Sequence, residues 1–133
     1  MEEYKKEVKK ILRKADPFKK ITNQLKKDIK IIEKPWGHYK QYCLNRKCTA
    51  RILSLNKGQK LNKQSHNSID KLWIILDDGI IIEVNEKIIH TKKGEEILIP
   101  KGAKHRAYAF NSSGKIMEIS FGKFDEADLT AYE

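Results

Sequence analysis

Eight short runs of β-favouring residues, each closed by a turn signal, fill the chain from His38 to Phe121 and constrain its fold more than any other feature. The runs are His38 to Cys43, Cys48 to Leu55, Leu72 to Leu76, Ile80 to Val84, Lys87 to Thr91, Glu96 to Ile99, His105 to Phe110 and Ile116 to Phe121. Between them stand Lys57-Gly58, Asp77-Asp78-Gly79, Asn85-Glu86, Lys92-Lys93-Gly94, Pro100-Lys101-Gly102 and Asn111 to Gly114. Glycine, asparagine and proline at that spacing supply the backbone angles of tight turns, so the pattern predicts antiparallel strands joined by hairpins. No helical period survives between residues 35 and 124. An all-β barrel or jelly roll is expected, because closure removes the exposed edges that runs such as Ile80-Ile81-Ile82 would otherwise present.

The first quarter of the chain reads differently. Tyr4, Val8, Ile11 and Leu12 fall on one stripe of an amphipathic helix flanked by lysines, and Pro17 ends or restarts it. Phe18, Ile21 and Leu25 give a weaker second stripe, after which Ile29, Ile31 and Ile32 begin an extended segment. The expected organisation is a basic helical N-terminal extension over residues 1–32 and a β-barrel domain over residues 33–133.

Charge follows the same division. The 133 residues carry a net +10, yet residues 1–34 hold 12 basic and 6 acidic side chains, so +6 of the excess sits there. A Lys-rich solvated face over a packed stripe accounts for it. The competing reading, a nucleic-acid or membrane surface, lacks interleaved aromatic residues, a recognition helix and a Cys/His finger, so nucleic acid is not the expected partner. The longest apolar run is the five residues from Leu72 to Leu76, too short to span a membrane, and the N-terminus has no secretory pattern. Cys43 and Cys48 cannot supply a four-thiolate zinc site or a disulfide framework, so a cytoplasmic location with two thiols is expected. The alternative for this pair, which flanks the loop from Leu44 to Lys47, is a cross-strand disulfide.

Two spacings carry chemistry. Gly94, Pro100, Gly102 and His105 describe a turn, a strand, a tight corner and a histidine at the start of the next strand. Gly58, Gln64 and His66 describe a second turn and strand, with Gln64 and His66 on one face because side chains alternate. Two imidazoles and an amide carbonyl from two strands facing one cavity form a candidate metal site.

These spacings resemble the two motifs of the cupin superfamily, whose fold is a double-stranded β-helix or jelly-roll barrel. Pro35-Trp36-Gly37-His38-Tyr39 further resembles the opening of the type II mannose-6-phosphate isomerase domain, which is also the C-terminal part of mannose-1-phosphate guanylyltransferases. Lys57 to Leu61, Gln64-Ser65-His66, Trp73 to Leu76, Ile99 to Arg106, Met117 to Gly122 and Glu126 to Leu129 follow the same family in order, from about residue 33 to residue 133. The resemblance implies a divalent metal such as zinc or nickel, held by Gln64, His66 and His105. It places the family's fourth ligand, a glutamate two residues before the tryptophan, at Lys71. An ammonium cannot ligate a cation while protonated, so any metal is expected to be weakly held or absent. Adjacent Asp70 faces the opposite side of the strand.

The resemblance implies aldose–ketose isomerisation of a sugar phosphate. That chemistry needs a cation to polarise the carbonyl, a base to move a proton between neighbouring carbons, and a clamp for the phosphate. His66 and His105 stand near the first task. Arg51, Lys101, Lys104 and Arg106 are candidates for the third, with Lys71 as a cation in its own right. No base emerges from the sequence, and the family's terminal Arg/Asp/Tyr/Gly/Arg segment does not follow Ala131-Tyr132-Glu133. The leading expectation is a small cupin that binds a sugar phosphate or sugar nucleotide with weak or lost isomerase activity. A metal-dependent isomerase lacking its terminal segment and a non-enzymatic partner-binding barrel are the alternatives. His66 and His105 then become hydrogen-bonded interior histidines, and Trp36 and Trp73 are expected as core aromatics. Family analogy adds a homodimer. Guanylyltransferase activity is excluded, because the chain has no room for a nucleotide-binding α/β domain.

Overall fold

The computed structural model describes residues 27–122 and 125–132. The amphipathic stripes expected between Tyr4 and Leu25 lie outside the described residues. Two compact units divide the chain between Arg46 and Lys47.

In the first unit, β1 (Lys30–Lys34) and β2 (Gly37–Gln41) form an antiparallel hairpin in which Lys34 faces Gly37. Pro35 and Trp36 make its turn, and Gly37 takes a φ of 142° that favours glycine. Asp28 ties down the approach to this hairpin: its carbonyl accepts from Gln41 Nε2 at 2.7 Å, and its carboxylate pairs with Arg46. Trp36 departs from the core role expected of it. At the hairpin tip it is 73% exposed, because a turn side chain has no facing layer to pack against.

The second unit is a barrel of two facing sheets. Its strands are β3 (Cys48–Leu55), β4 (Gln59–Lys60), β5 (Lys63–His66), β6 (Asp70–Ile75), β7 (Ile80–Val84), β8 (Lys87–His90), β9 (Glu96–Ile99), β10 (His105–Ala109), β11 (Gly114–Phe121) and β12 (Leu129–Tyr132). One sheet runs β3-β11-β6-β9 and the other β12-β5-β10-β7-β8, with β4 also on β10. Every pairing is antiparallel. A 3-10 turn, Glu126–Asp128, leads into β12. Among the described residues no helix is long and apolar enough to cross a membrane.

Alternation fixes which residues fill the barrel. Ile80, Ile82 and Val84 of β7, Ala107 and Ala109 of β10, Ile116 of β11, Trp73 and Ile75 of β6, and Ile97 and Ile99 of β9 form one buried cluster. Each fully buried isoleucine contributes about 1.5–3 kcal/mol of transfer free energy. Small Ala107 and Ala109 face large Ile82 and Ile80 directly across the β10–β7 ladder, so the two strands interdigitate. Gly114 belongs to this packing: a Cβ there would stand 2.9 Å from the Ile80 side chain. The β7–β8 turn uses Asn85 and Glu86 at φ 48° and 69°. Both central residues of such a primed hairpin turn require left-handed backbone, a conformation that costs a non-glycine residue about 1–2 kcal/mol. Asn85 offsets part of it by donating its backbone N–H to the Lys104 carbonyl at 2.8 Å and accepting the Lys104 N–H on its side-chain Oδ1 at 3.0 Å.

Candidate functional site

Residues from both sheets and from the β4–β5 connection line a cavity of about 240 Å³ at one end of the barrel. Leu53, Leu61 and Leu129 give it an apolar rim; the polar wall holds Arg51, Gln64, His66, Lys71, His105 and Glu118. Each polar residue is placed by strand parity. On β5 Gln64 and His66 point inward, and Gln64 lies opposite His105 on β10. The corner at Pro100 to Gly102 sets where β10 begins: Ala103 N–H donates to the Pro100 carbonyl at 3.1 Å, and Gly102 N–H to the His66 carbonyl at 2.6 Å. Gly102 at φ 85° makes that corner available.

His105 is 4% exposed and its Nδ1 lies 2.9 Å from the Ala103 carbonyl. A carbonyl only accepts, so the proton is on Nδ1 and Nε2 carries the lone pair. Burial pushes the His105 pKa down to about 4, and the positive charge of Lys71 pushes the same way, so the ring is neutral at pH 7. His66 is equally buried; its ring centre is 5.8 Å from that of His105, and the Trp73 ring meets His105 edge-on at 5.4 Å.

The charged part of the wall comes from three adjacent strands. Glu118 on β11 lies opposite Trp73 on β6 and opposite Arg51 on β3, with Lys71 one inward position along from Trp73. Lys71 Nζ is 3.1 Å from Glu118 Oε2, and both side chains are about 95% shielded from solvent, at 6% and 5% exposure. The Trp73 indole N–H donates to the same oxygen at 2.9 Å. Asp70 turns away, accepting the Lys101 backbone N–H at 2.8 Å.

The structure thus brings Gln64, His66, His105, Lys71 and Arg51 together and leaves three expected residues elsewhere. Lys101 and Lys104 are exposed, and Lys104 Nζ sits 4.4 Å from the Tyr132 ring centre. Arg106 lies over the Tyr108 ring and 3.5 Å from Glu83. Parity explains the separation on β10, since the alternation that turns His105 inward turns Arg106 outward. Sequence reasoning missed Glu118. Its signal was present, because Ile116, Glu118 and Ser120 share a face and Ile116 is apolar, but the register of β11 against β6 was needed to bring it to Lys71.

A divalent metal does not fit this donor set. The Gln64 amide and the His105 imidazole are neutral, and the cation Lys71 already holds Glu118, the one carboxylate of the wall among the described residues. A metal ion would meet the ammonium's charge before any anionic ligand. Among the described residues no three His, Cys, Asp or Glu side chains are grouped to hold a metal.

Comparison with known proteins agrees with this architecture. The family model described as "Mannose-6-phosphate isomerase C-terminal" matches residues 21–133. No curated protein matches the chain. Among solved structures, the barrel is similar to an uncharacterised double-stranded β-helix protein from Klebsiella pneumoniae, with a TM-score of 0.58, 15% identity and coverage of 68% of this chain and 77% of that one. It is also similar to KdgF from Halomonas sp., at a TM-score of 0.57 and 13% identity over 65% of this chain and 78% of that one. A cupin protein from Bacteroides fragilis gives a TM-score of 0.54 and 18% identity over 64% and 76%. Identities this low speak for fold alone. The barrel, its motif order and the match over residues 21–133 together place this chain in the mannose-6-phosphate isomerase C-terminal family, as a cupin.

Proposed function

We propose that the barrel binds a small anionic sugar, of the sugar-phosphate class, in the cavity between the two sheets. The observation that carries this reading is the make-up of the wall: the Arg51 guanidinium and the Lys71 ammonium line the same cavity as the neutral His105 imidazole. Around these charges, Asn62, Gln64 and His105 offer amide and imidazole groups suited to sugar hydroxyls. Volume narrows the ligand. A cavity of about 240 Å³ lies below the roughly 300–1,000 Å³ usual for drug-sized molecules, so it suits a monosaccharide, with the nucleotide of any sugar nucleotide left outside. The family supports the same substrate class.

Titration calorimetry with mannose 6-phosphate, mannose and inorganic phosphate tests the reading. Mannose 6-phosphate is expected to bind at least about 10-fold more tightly than mannose, the equivalent of one modest charged contact at ~1.4 kcal/mol. Equal affinity for the two sugars, or no binding of either, rejects it.

A further inference from the structure

The pair formed by Lys71 and Glu118 is an expensive way to fill a barrel. Two ionised side chains at 6% and 5% exposure lose most of their hydration, and apolar residues of similar size at such positions are often as stable or more so. Its neighbours Ile75, Ile99 and Ile116 show that these strands supply apolar side chains readily. The pair also lines the cavity rather than belonging to the packed cluster, and ionisable groups in a cleft are candidates for function.

The contacts within the pair are one-sided. Both the Lys71 ammonium and the Trp73 indole N–H meet Oε2 of Glu118. Oε1 has no hydrogen-bond partner among the described residues, so one edge of the carboxylate is held and the other is available as a proton acceptor. A fixed carboxylate edge beside a fixed ammonium is what proton transfer next to a carbonyl needs: a base for the carbon-bound proton and a cation for the oxygen that becomes negative.

We propose that Lys71 and Glu118 form a metal-independent proton-transfer pair acting on the α-hydroxy carbonyl of an open-chain sugar phosphate. This rests on the sugar-phosphate reading of the cavity and assigns roles within it. Lys71 stands where the resemblance implied a metal ligand, and it supplies the positive charge itself. Glu118 Oε1 takes the proton from the carbon beside the carbonyl. The electron pair of that C–H bond forms the carbon–carbon double bond, and the carbonyl π pair moves to oxygen, where a Lys71 N–H donates to it. In the second half the Glu118 proton returns to the former carbonyl carbon. The neighbouring hydroxyl gives its proton to Lys71 as Lys71 gives one to the first oxygen. No proton or electron is gained or lost, so no co-reactant is needed. Neutral His105, with its Nε2 lone pair, positions a sugar hydroxyl by accepting from it.

The test uses full-length protein freed of metal by chelator and kept in chelator, with mannose 6-phosphate in D2O followed by proton NMR. Wild type is expected to exchange the C2 proton for deuterium well above buffer. Glu118→Gln keeps Lys71 and an acceptor for the Trp73 N–H, so calorimetric binding should persist while exchange falls about 100-fold or more. Lys71→Met/Glu118→Gln removes both charges together and so guards against misfolding of the single variant; exchange should be lost there as well. Binding without exchange in wild type overturns the proposal alone. So does exchange that persists in Glu118→Gln or in the double variant, or that starts only when zinc or nickel is added. Absence of mannose 6-phosphate binding in wild type rejects the sugar-phosphate reading, and the proposal falls with it.

Discussion

Replacing Lys71 by methionine removes the ammonium of a pair whose N to O distance is 3.1 Å while leaving the volume of the side chain nearly unchanged. At that separation, an effective dielectric of about 20 gives an attraction of about 5 kcal/mol, which sets the scale rather than the net contribution. The single variant leaves Glu118 charged, 5% exposed and held only by the Trp73 N–H. Loss of one partner of a buried pair costs about 3–5 kcal/mol, a large part of the ~5–15 kcal/mol stability of an ordinary domain. Glu118→Gln should cost a comparable amount by stranding the ammonium. The double variant should recover to within about 1 kcal/mol of wild type, because both desolvation penalties vanish together. Urea denaturation followed by circular dichroism on all four proteins gives the cycle, with an expected coupling of at least about 3 kcal/mol. Single losses under about 1 kcal/mol that simply add would refute the reasoning, since they would mean that water screens the pair as it does one on the surface.

The pKa of His105, about 4 in the folded chain against an ordinary 6.5, gives a pH dependence of definite sign. Between those values the unfolded chain binds the proton and the native chain does not, so stability is whole above pH 6.5 and falls as pH drops toward 4, by about 3 kcal/mol from this group. Imidazole NMR should find His105 neutral at pH 5.5; a midpoint near 6.5 would mean that the ring is solvated. Gly114→Ala should destabilise the barrel by about 1–3 kcal/mol in urea melts, because the added Cβ meets Ile80, itself 1% exposed and without room to move. Ile82→Ala, at 0% exposure in the middle of β7, should cost about 2–5 kcal/mol by the same measurement. Arg51→Ala should weaken mannose 6-phosphate binding by about 10-fold and leave mannose unchanged, if its charge contributes to recognition as one exposed contact does.

Much of the barrel was legible because its signals are local. The runs Cys48–Leu55, Ile80–Val84 and Glu96–Ile99 are strands with the bounds expected, since alternating isoleucines and flanking glycines or Asn85-Glu86 act within a few residues. β12 was not legible: Leu129-Thr130-Ala131-Tyr132 becomes a strand through its ladder with β5 and the Tyr132 hydroxyl contact to Ser65 at 2.9 Å, neither of which a four-residue window contains. The site divides along the same line. Gln64, His66, Lys71 and His105 announced themselves by motif and parity, whereas Glu118 depended on cross-strand register. Arg106 and Lys104 misled because proximity to His105 in sequence is not proximity in a strand, where neighbours face opposite ways.

β11 lies between β3 and β6, with Gly114 to Phe121 paired to Leu55 to Cys48 on one side and Ile116 to Phe121 to Ile75 to Asp70 on the other. That central position makes the cavity a late arrival in time. Arg51, Lys71 and Trp73 are synthesised well before Glu118, and until β11 arrives neither β3 nor β6 has this neighbour and Lys71 has no counter-charge. Such long-range pairing slows folding relative to local contacts. A ribosome-bound chain ending before β11 would therefore expose the edges of both strands and a lone cation, and the recognition wall would come into being only when that one strand slots between its two older neighbours.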